Sequence, residues 1–508
     1  MSTAKSDIST HRFLINVSSN LAMFGLNVVA GLWFTPYLVA HLGVAAYGIV
    51  ILALSVARYM AVFDTALNNA VGRFLTLDVR RGAAEAANRT FNTAFWTAVC
   101  LIILLLPLLL LAVPAALRFF DIPAGMETAA YWLFVCVLLS TLLVLLRGVF
   151  SATAFARNRL DLQNGIQASN TVVRIGVVVA LFGWLATATL WQVGVGILAG
   201  GAASLLLAIV VWRRLTPELR IGRGQFDQTH LQQMVGMSWW IVVNQVGALL
   251  FLNIDLLVVN RYLGAEVQGR YGTVLQWSVL LRTLASTVAT ALTPIILAQY
   301  AARNMDKVAL TSGQAVKLMG LGMALPVGLV AGLAAPLLDV WLGPAFVDLA
   351  PLLVLLTAPL AINLAVLPLF STQTAMNRVR WPGIVSLVTG VLNLGLALWW
   401  VNWGRGGMGV AAAGALVLTL KNALFMPLYN AHIQRLPWRT FVLRLLPGAV
   451  GLGVVGGASV AAARLVALDS WWALGTAVCL LSGGYLLLVY RIGLTAQERA
   501  LLRAVIRR

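Results

Sequence analysis

A chain of 508 residues that is 61% hydrophobic and only 10% charged cannot be a soluble globule, because soluble proteins carry about 25% charged residues. A net charge of +19 would point to nucleic acid in a soluble protein. Here the basic residues flank apolar runs, as the positive-inside rule requires of a membrane protein, so no nucleic-acid partner is expected.

Apolar runs of about 20 residues, the length of a spanning helix, recur from end to end. The short-period alternation of barrel strands is absent. The polar start, Met1 to Arg12, leads into a run too long for a cleaved signal peptide, which predicts a retained first helix. In chain order the predicted spans are 13–38, 44–70, 90–113, 128–150, 164–185, 190–212, 231–259, 268–298, 310–334, 348–375, 383–402, 408–430, 441–466 and 471–490. The expected fold is therefore all-α, a polytopic membrane protein of about 14 helices. Cys100, Cys136 and Cys479 all fall in apolar runs, where packing is expected and neither a disulfide nor a metal is implied.

With the N-terminus in the cytoplasm, 25 of the 35 Lys and Arg residues fall in inside segments and five in outside segments, Arg118, Arg261, Arg270, Arg405 and Arg464. That bias predicts both termini on the cytoplasmic side. The remaining five, Arg58, Arg147, Arg174, Arg282 and Lys421, lie within helices. After the last span, Thr495 to Glu498 has capping-box spacing. Leu501, Leu502, Val505 and Ile506 then share one helical face, with Arg499, Arg503, Arg507 and Arg508 elsewhere. This predicts a basic amphipathic tail on anionic lipid.

The chain repeats itself. Tyr47-Gly48 recurs as Tyr271-Gly272, and Arg58 recurs as Arg282, each pair 224 residues apart. Leu42-Gly43 matches Leu263-Gly264, Phe150-Ser151 matches Phe370-Ser371, Asn158-Arg159 matches Asn377-Arg378, and Pro217 matches Pro437. Such a long period marks a duplicated unit. Each unit has an even number of spans, so both face the same way, the parallel-repeat arrangement of secondary transporters. The expected organisation is a six-helix lobe (1–216), a cytoplasmic linker (217–230), a second six-helix lobe (231–440), two further helices (441–490) and the tail (491–508).

Charges inside a membrane span are costly and are usually functional. Arg58, Arg282, Lys421 and Arg174 are accordingly the candidate substrate-binding cations. For Arg58 the alternative is a structural ion pair with Asp64 or a neighbouring helix, and Arg147, nearer a helix end, is expected to be interfacial. Asn16, Asn20 and Asn244 would either hydrogen-bond a polar substrate or join helices to one another. Asp255 is the candidate coupling-ion residue, or a neutralising partner for Arg282. Trp239, Trp240 and Trp277 would stack on substrate rings or anchor the helices at the interface. No metal-ligand spacing, nucleophile elbow or phosphate loop stands out, so no catalytic residue, metal or cofactor is expected.

Pro36-Tyr37-Leu38-Val39, Leu42-Gly43, Tyr47-Gly48, Asp64, Arg73 and the loop from Arg80-Arg81-Gly82 to Asn88-Arg89 resemble the polysaccharide-repeat flippases. These are Wzx-type members of the multidrug/oligosaccharidyl-lipid/polysaccharide exporter superfamily. The six-plus-six-plus-two layout matches that family along nearly the whole chain. Asp64-Thr65-Ala66 departs from it, since the family usually has a glycine soon after the aspartate. The resemblance implies two lobes around a cavity with alternating access. It implies as substrate an undecaprenyl-(pyro)phosphate-linked oligosaccharide, moved from the cytoplasmic to the outer leaflet of a bacterial inner membrane for O-antigen, lipopolysaccharide or exopolysaccharide assembly. It further implies coupling to a sodium or proton gradient, and membrane lipids and polysaccharide polymerase machinery as partners. Arg guanidinium groups suit such a lipid's phosphate.

The rival readings are a multidrug/cation antiporter, a lipid II flippase, and a polysaccharide polymerase or ligase. The first should show an acidic cavity. The second carries arginines in its first helix, where this chain has none past Arg12. The third should carry a large outer loop with catalytic Arg or His, and the outer loops here are short.

Overall fold

The computed structural model describes residues 2–222, 226–228, 231–232, 242–243, 245–250, 253–496 and 498–499. Asn244, Trp239, Trp240 and the tail residues 501–508 lie outside them. Among the described residues the regular structure is helical, with no strand. The first helices are α1 (Ser2–Leu42), α2 (Val44–Arg80), α3 (Ala84–Phe119), α4 (Glu127–Ala156), α5 (Leu160–Trp184) and α6 (Leu190–Leu215). Then come α7 (Ile254–Leu263), α8 (Ala265–Ala301), α9 (Met305–Gly332) and α10 (Ala334–Leu342). A broken span follows as α11 (Ala350–Thr357), α12 (Leu360–Ala365) and α13 (Leu367–Ala375), and the later helices are α14 (Arg380–Asn402), α15 (Gly406–Leu420), α16 (Met426–Ile433), α17 (Leu446–Leu465) and α18 (Trp471–Leu488).

Thirteen stretches among the described residues are long and apolar enough to cross a membrane, and each overlaps a predicted span. The remaining predicted span, 268–298, falls within the 37-residue α8. The outward faces are apolar: on α3, Ile103, Leu104 and Leu111 are all exposed, which lipid tolerates and water does not. The chain is a multi-pass all-α membrane protein.

Two compact units are present. The first holds residues 1–272 with 386–391, and the second holds 273–385 with 392–508. In the first unit α4 is the centre, packed against α6 and α2, and α5 lies on α6. Small residues make this possible. Gly201 lies against Ser140, whose hydroxyl donates to the Ile197 carbonyl at 3.0 Å. Close backbone approach of this kind replaces hydrophobic drive between helices in lipid. Toward the α6 C-terminus, Phe91 stacks on Trp212 at 5.3 Å, with Phe150 beside both. Asn88 and Asn92 catch the backbone N–H groups of Arg220 and Gly222, each at 2.8 Å, and so tie the start of the linker to α3.

In the second unit α9 packs along α17, with Gly320 facing Gly448 and Gly332 facing Ser459. The Tyr485 hydroxyl of α18 donates to the Leu321 carbonyl at 2.9 Å. The last two helices, which the repeat does not account for, are thus built onto α9.

Matched backbone conformations accompany the matched sequence. Gly43 has φ 81, ψ 164 and Gly264 has φ 92, ψ 169, a region essentially reserved for glycine. Asn158 and Asn377 sit at φ 55 and φ 54, the left-handed conformation that Asn tolerates. The duplication therefore extends to the turns that aim the helices.

Candidate functional site

Tyr47-Gly48 lies at the end of the first turn of α2 and Tyr271-Gly272 one turn further into α8, and within the first unit the starts of these two helices cross closely. A Cβ at Gly48 would collide with the Ala265 carbonyl, and one at Gly269 with that of Val44, so the crossing requires glycine. Both tyrosines are buried and reach back to a polar side chain of the preceding helix. Tyr47 donates to Thr35 Oγ1 at 3.4 Å, and Tyr271 donates to Asp255 Oδ2 at 3.2 Å.

This anchoring positions Arg58 about three turns further along α2. Its guanidinium donates to Asn253 Oδ1 at 2.9 Å, while the residue as a whole stays exposed. Asn253 is the residue before α7, 2% exposed, and Asp255 follows in the first turn of α7, 7% exposed. Three residues of α7's start thus hold the candidate cation and the candidate coupling acid. The ion pair with Asp64 that sequence offered as the alternative for Arg58 is not formed: Asp64 Oδ1 instead accepts from Asn68 at 2.7 Å.

Arg282 lies half-buried in α8, in the second unit. Lys421, also in the second unit, is buried and opens a π-helical turn, Lys421–Phe425, between α15 and α16. The Met426 N–H bonds to the Lys421 carbonyl, the wider pattern typical of π-bulges, which gather at functional sites. Pro427, lacking an N–H, follows at once. Asn422, Asn363 and Thr419 form a polar cluster beside it, with Asn363 donating to Thr419 at 3.3 Å and Asn422 to the Asn363 carbonyl at 3.4 Å.

Arg174 is half-buried on α5, where the α6 glycines Gly196 and Gly200 approach, and its Nε is buried without a hydrogen-bond partner among the described residues. Asn16 donates to Asn158 at 3.4 Å, and Asn20 accepts from Asn164 at 2.6 Å. Both therefore join α1 to the start of α5 and the turn before it. Trp277 packs edge-on against Trp341, with ring centroids 5.4 Å apart.

Sequence reasoning missed a polar cavity of about 350 Å³ within the first unit. Asp64, Asn68 and Arg73 of α2, Arg147 and Ser151 of α4, and Gln163 of α5 line it. Arg147, expected at an interface, thus faces a polar interior. The signal available in sequence was the row Asp64, Asn68, Gly72 at i, i+4, i+8, one stripe of a helix. Nothing in sequence says which helices close over that stripe.

The chain is 34% identical over 494 residues, 96% of its length and 97% of the relative's, to "Uncharacterized membrane protein EpsK" of Bacillus subtilis (strain 168). Its fold matches that of the solved lipid II flippase MurJ in an inward closed conformation, with TM-score 0.67 and 14% identity over 94% of this chain and 99% of that one. It also matches an inward-facing multidrug resistance MATE family transporter of the MOP superfamily, with TM-score 0.63 and 14% identity over 87% and 99%. The profile of the polysaccharide biosynthesis protein family matches residues 13–300, more than half of the chain. The chain belongs to that family.

Proposed function

We propose that the chain is a flippase that moves an undecaprenyl-(pyro)phosphate-linked oligosaccharide from the cytoplasmic to the outer leaflet by alternating access. It would act in a bacterial inner membrane with both termini cytoplasmic. The observation that carries this reading is Arg58. A guanidinium within an apolar span is held by a neutral amide, Asn253, at 2.9 Å. The amide orients the charge without cancelling it, so the guanidinium stays available to an anion. A lipid phosphate is the anion that a polysaccharide-building membrane protein would handle, and charge-assisted Arg–phosphate pairing suits it. The fold shared with a flippase of a lipid-linked substrate supports the same reading.

Within it, Arg58 binds phosphate, and Arg282, at the matching position of the repeat, has the same role in its own unit. Lys421 and Arg174 add positive potential, and Asn16, Asn20 and Asn244 serve the glycan or the helix contacts around it. Asp255 is assigned coupling to a sodium or proton gradient; Tyr271 holds it, and a gradient acts by favouring one of two states. Polysaccharide polymerase machinery would receive the flipped product.

The test is transport of undecaprenyl-diphosphate oligosaccharide in proteoliposomes, beside surface polysaccharide in cells. Loss of both in the combined Arg58→Ala, Arg282→Ala variant at normal protein level is expected. Undiminished transport by that variant would overturn the reading. Gradient dependence that survives Asp255→Asn would remove Asp255 from the coupling role alone.

A further inference from the structure

We infer that the polar cavity of the first unit is a saccharide subsite that takes a sugar ring of the glycan as it enters; this rests on the flippase reading above. The cavity is lined by the last turns of α4 and the first turns of α5, and the turn between them carries Arg157 and Arg159, the end that the charge bias assigns to the cytoplasm. Its volume, about 350 Å³, falls in the range of small-molecule sites, roughly 300–1,000 Å³.

Its chemistry selects the ligand class. Asp64 offers carboxylate oxygens, Arg73 and Arg147 offer donors, Asn68 and Gln163 offer both, and Ser151 adds a hydroxyl. Phe155 and Ile166 complete the wall with apolar surface. Vicinal sugar hydroxyls both donate and accept, so each can bridge a carboxylate and a guanidinium. A phosphodiester only accepts, and any phosphate would bring its negative charge against the Asp64 carboxylate.

Two polar atoms of these lining residues are buried and left unmatched. Asn68 gives its Nδ2 hydrogen to Asp64, and its Oδ1 has no hydrogen-bond partner among the described residues. Arg147 Nε has none either. Buried polar atoms are rarely left unpaired, and here one is an acceptor and the other a donor, the two kinds of partner that a hydroxyl supplies. Gly148 keeps this arrangement open, since a Cβ there would collide with the Asn68 amide.

The experiment uses full-length protein in nanodiscs with the three native cysteines replaced by alanine and Gln163→Cys, and separately Ser151→Cys, as reporters on the cavity wall. Maleimide labelling is timed with the oligosaccharide released by mild acid from the cell's own lipid-linked pool, with pyrophosphate, and with the intact lipid-linked oligosaccharide. The free oligosaccharide should slow labelling and pyrophosphate should not. Arg147→Ala, and independently Asn68→Ala, should weaken that protection at least about 10-fold, the loss of one hydrogen bond to a charged or buried group. Arg58→Ala should leave it intact.

Protection by pyrophosphate and not by the oligosaccharide would overturn the inference in favour of an anion site. Absence of protection by either, with intact lipid-linked oligosaccharide still bound through Arg58, would overturn it in favour of a water-filled void and leave the flippase reading standing. If the intact lipid does not bind at all, the flippase reading falls, and protection by the free oligosaccharide alone decides for or against the subsite.

Discussion

Arg58 in the first unit and Lys317 in the second, which the charge count places among the inside residues and the structure puts within α9, are both basic side chains on apolar spanning helices, and the chain treats them in opposite ways. Lys317 of α9 is 7% exposed and its ammonium pairs with Glu498 Oε2 at 2.8 Å. Glu498, 5% exposed, also accepts from the Thr495 N–H at 2.7 Å, while its own N–H donates to Thr495 Oγ1 at 3.3 Å. The charge is cancelled, and the pair fastens the start of the tail to α9. Arg58 is given a neutral amide and keeps part of its surface open. A buried charge with a carboxylate partner is a fastening. A charge held by a dipole retains its field, which is the condition for binding an anion.

The largest expected effect contrasts the two directly. Arg58→Ala should reduce lipid-phosphate affinity by about 1.5–3 kcal/mol, the worth of a hydrogen bond to a charged group, with protein level preserved and a smaller loss of stability from the stranded Asn253 amide. Lys317→Ala should do the reverse. Leaving Glu498 buried without its partner should destabilise by about 3–5 kcal/mol, read as a lower unfolding temperature, with transport per folded molecule preserved. If Lys317→Ala abolished transport without changing stability, the contrast would collapse.

The contrast sharpens with a double change. Lys317→Met with Glu498→Leu should be nearly neutral, because a buried pair replaced by apolar residues leaves no stranded charge; a loss equal to that of Lys317→Ala would show that the charges themselves are needed. A smaller loss, about 1–3 kcal/mol, is expected from Gly264→Ala, which forces a Cβ into a glycine-only backbone region. Because this glycine aims α8, transport should fall with stability, and unchanged stability would show that the turn can relax.

The mildest effect is on pH. Burial raises the Glu498 carboxyl, but the hydrogen bonds from Lys317 and Thr495 and the Lys317 charge outweigh it and hold it below its usual range. A depressed carboxyl contributes stability that is fully present above its unfolded value, and that stability is lost as pH falls through the folded one. The tail should therefore stay fastened at neutral pH and loosen only in acid, below about pH 4.3, the ordinary Glu value. Proteolysis of the tail between pH 7 and pH 3 measures this, and release already at pH 6 would contradict it.

Much of this was legible in the sequence by itself. Apolar run length located the spans, because the bilayer sets one length for every helix. The near-constant repeat offset marked the duplication, and the turns at Gly43 and Gly264 carry it into backbone conformation. Depth in an apolar run singled out Arg58, Arg282, Arg174 and Lys421, because such positions are expensive for charge whatever surrounds them.

What surrounds them was decided only by the tertiary structure. Arg58 meets Asn253, 195 residues away, and Lys317 meets Glu498, 181 residues away. The cavity around Arg147 needs three helices to close it. Each of these depends on how a helix is rotated about its axis and where it crosses its neighbour. In lipid that rotation is set by the packing of small residues rather than by an amphipathic stripe. A uniformly apolar helix carries no sequence mark of which side faces its partner, so the spans could be counted from the chain while the pairings could not.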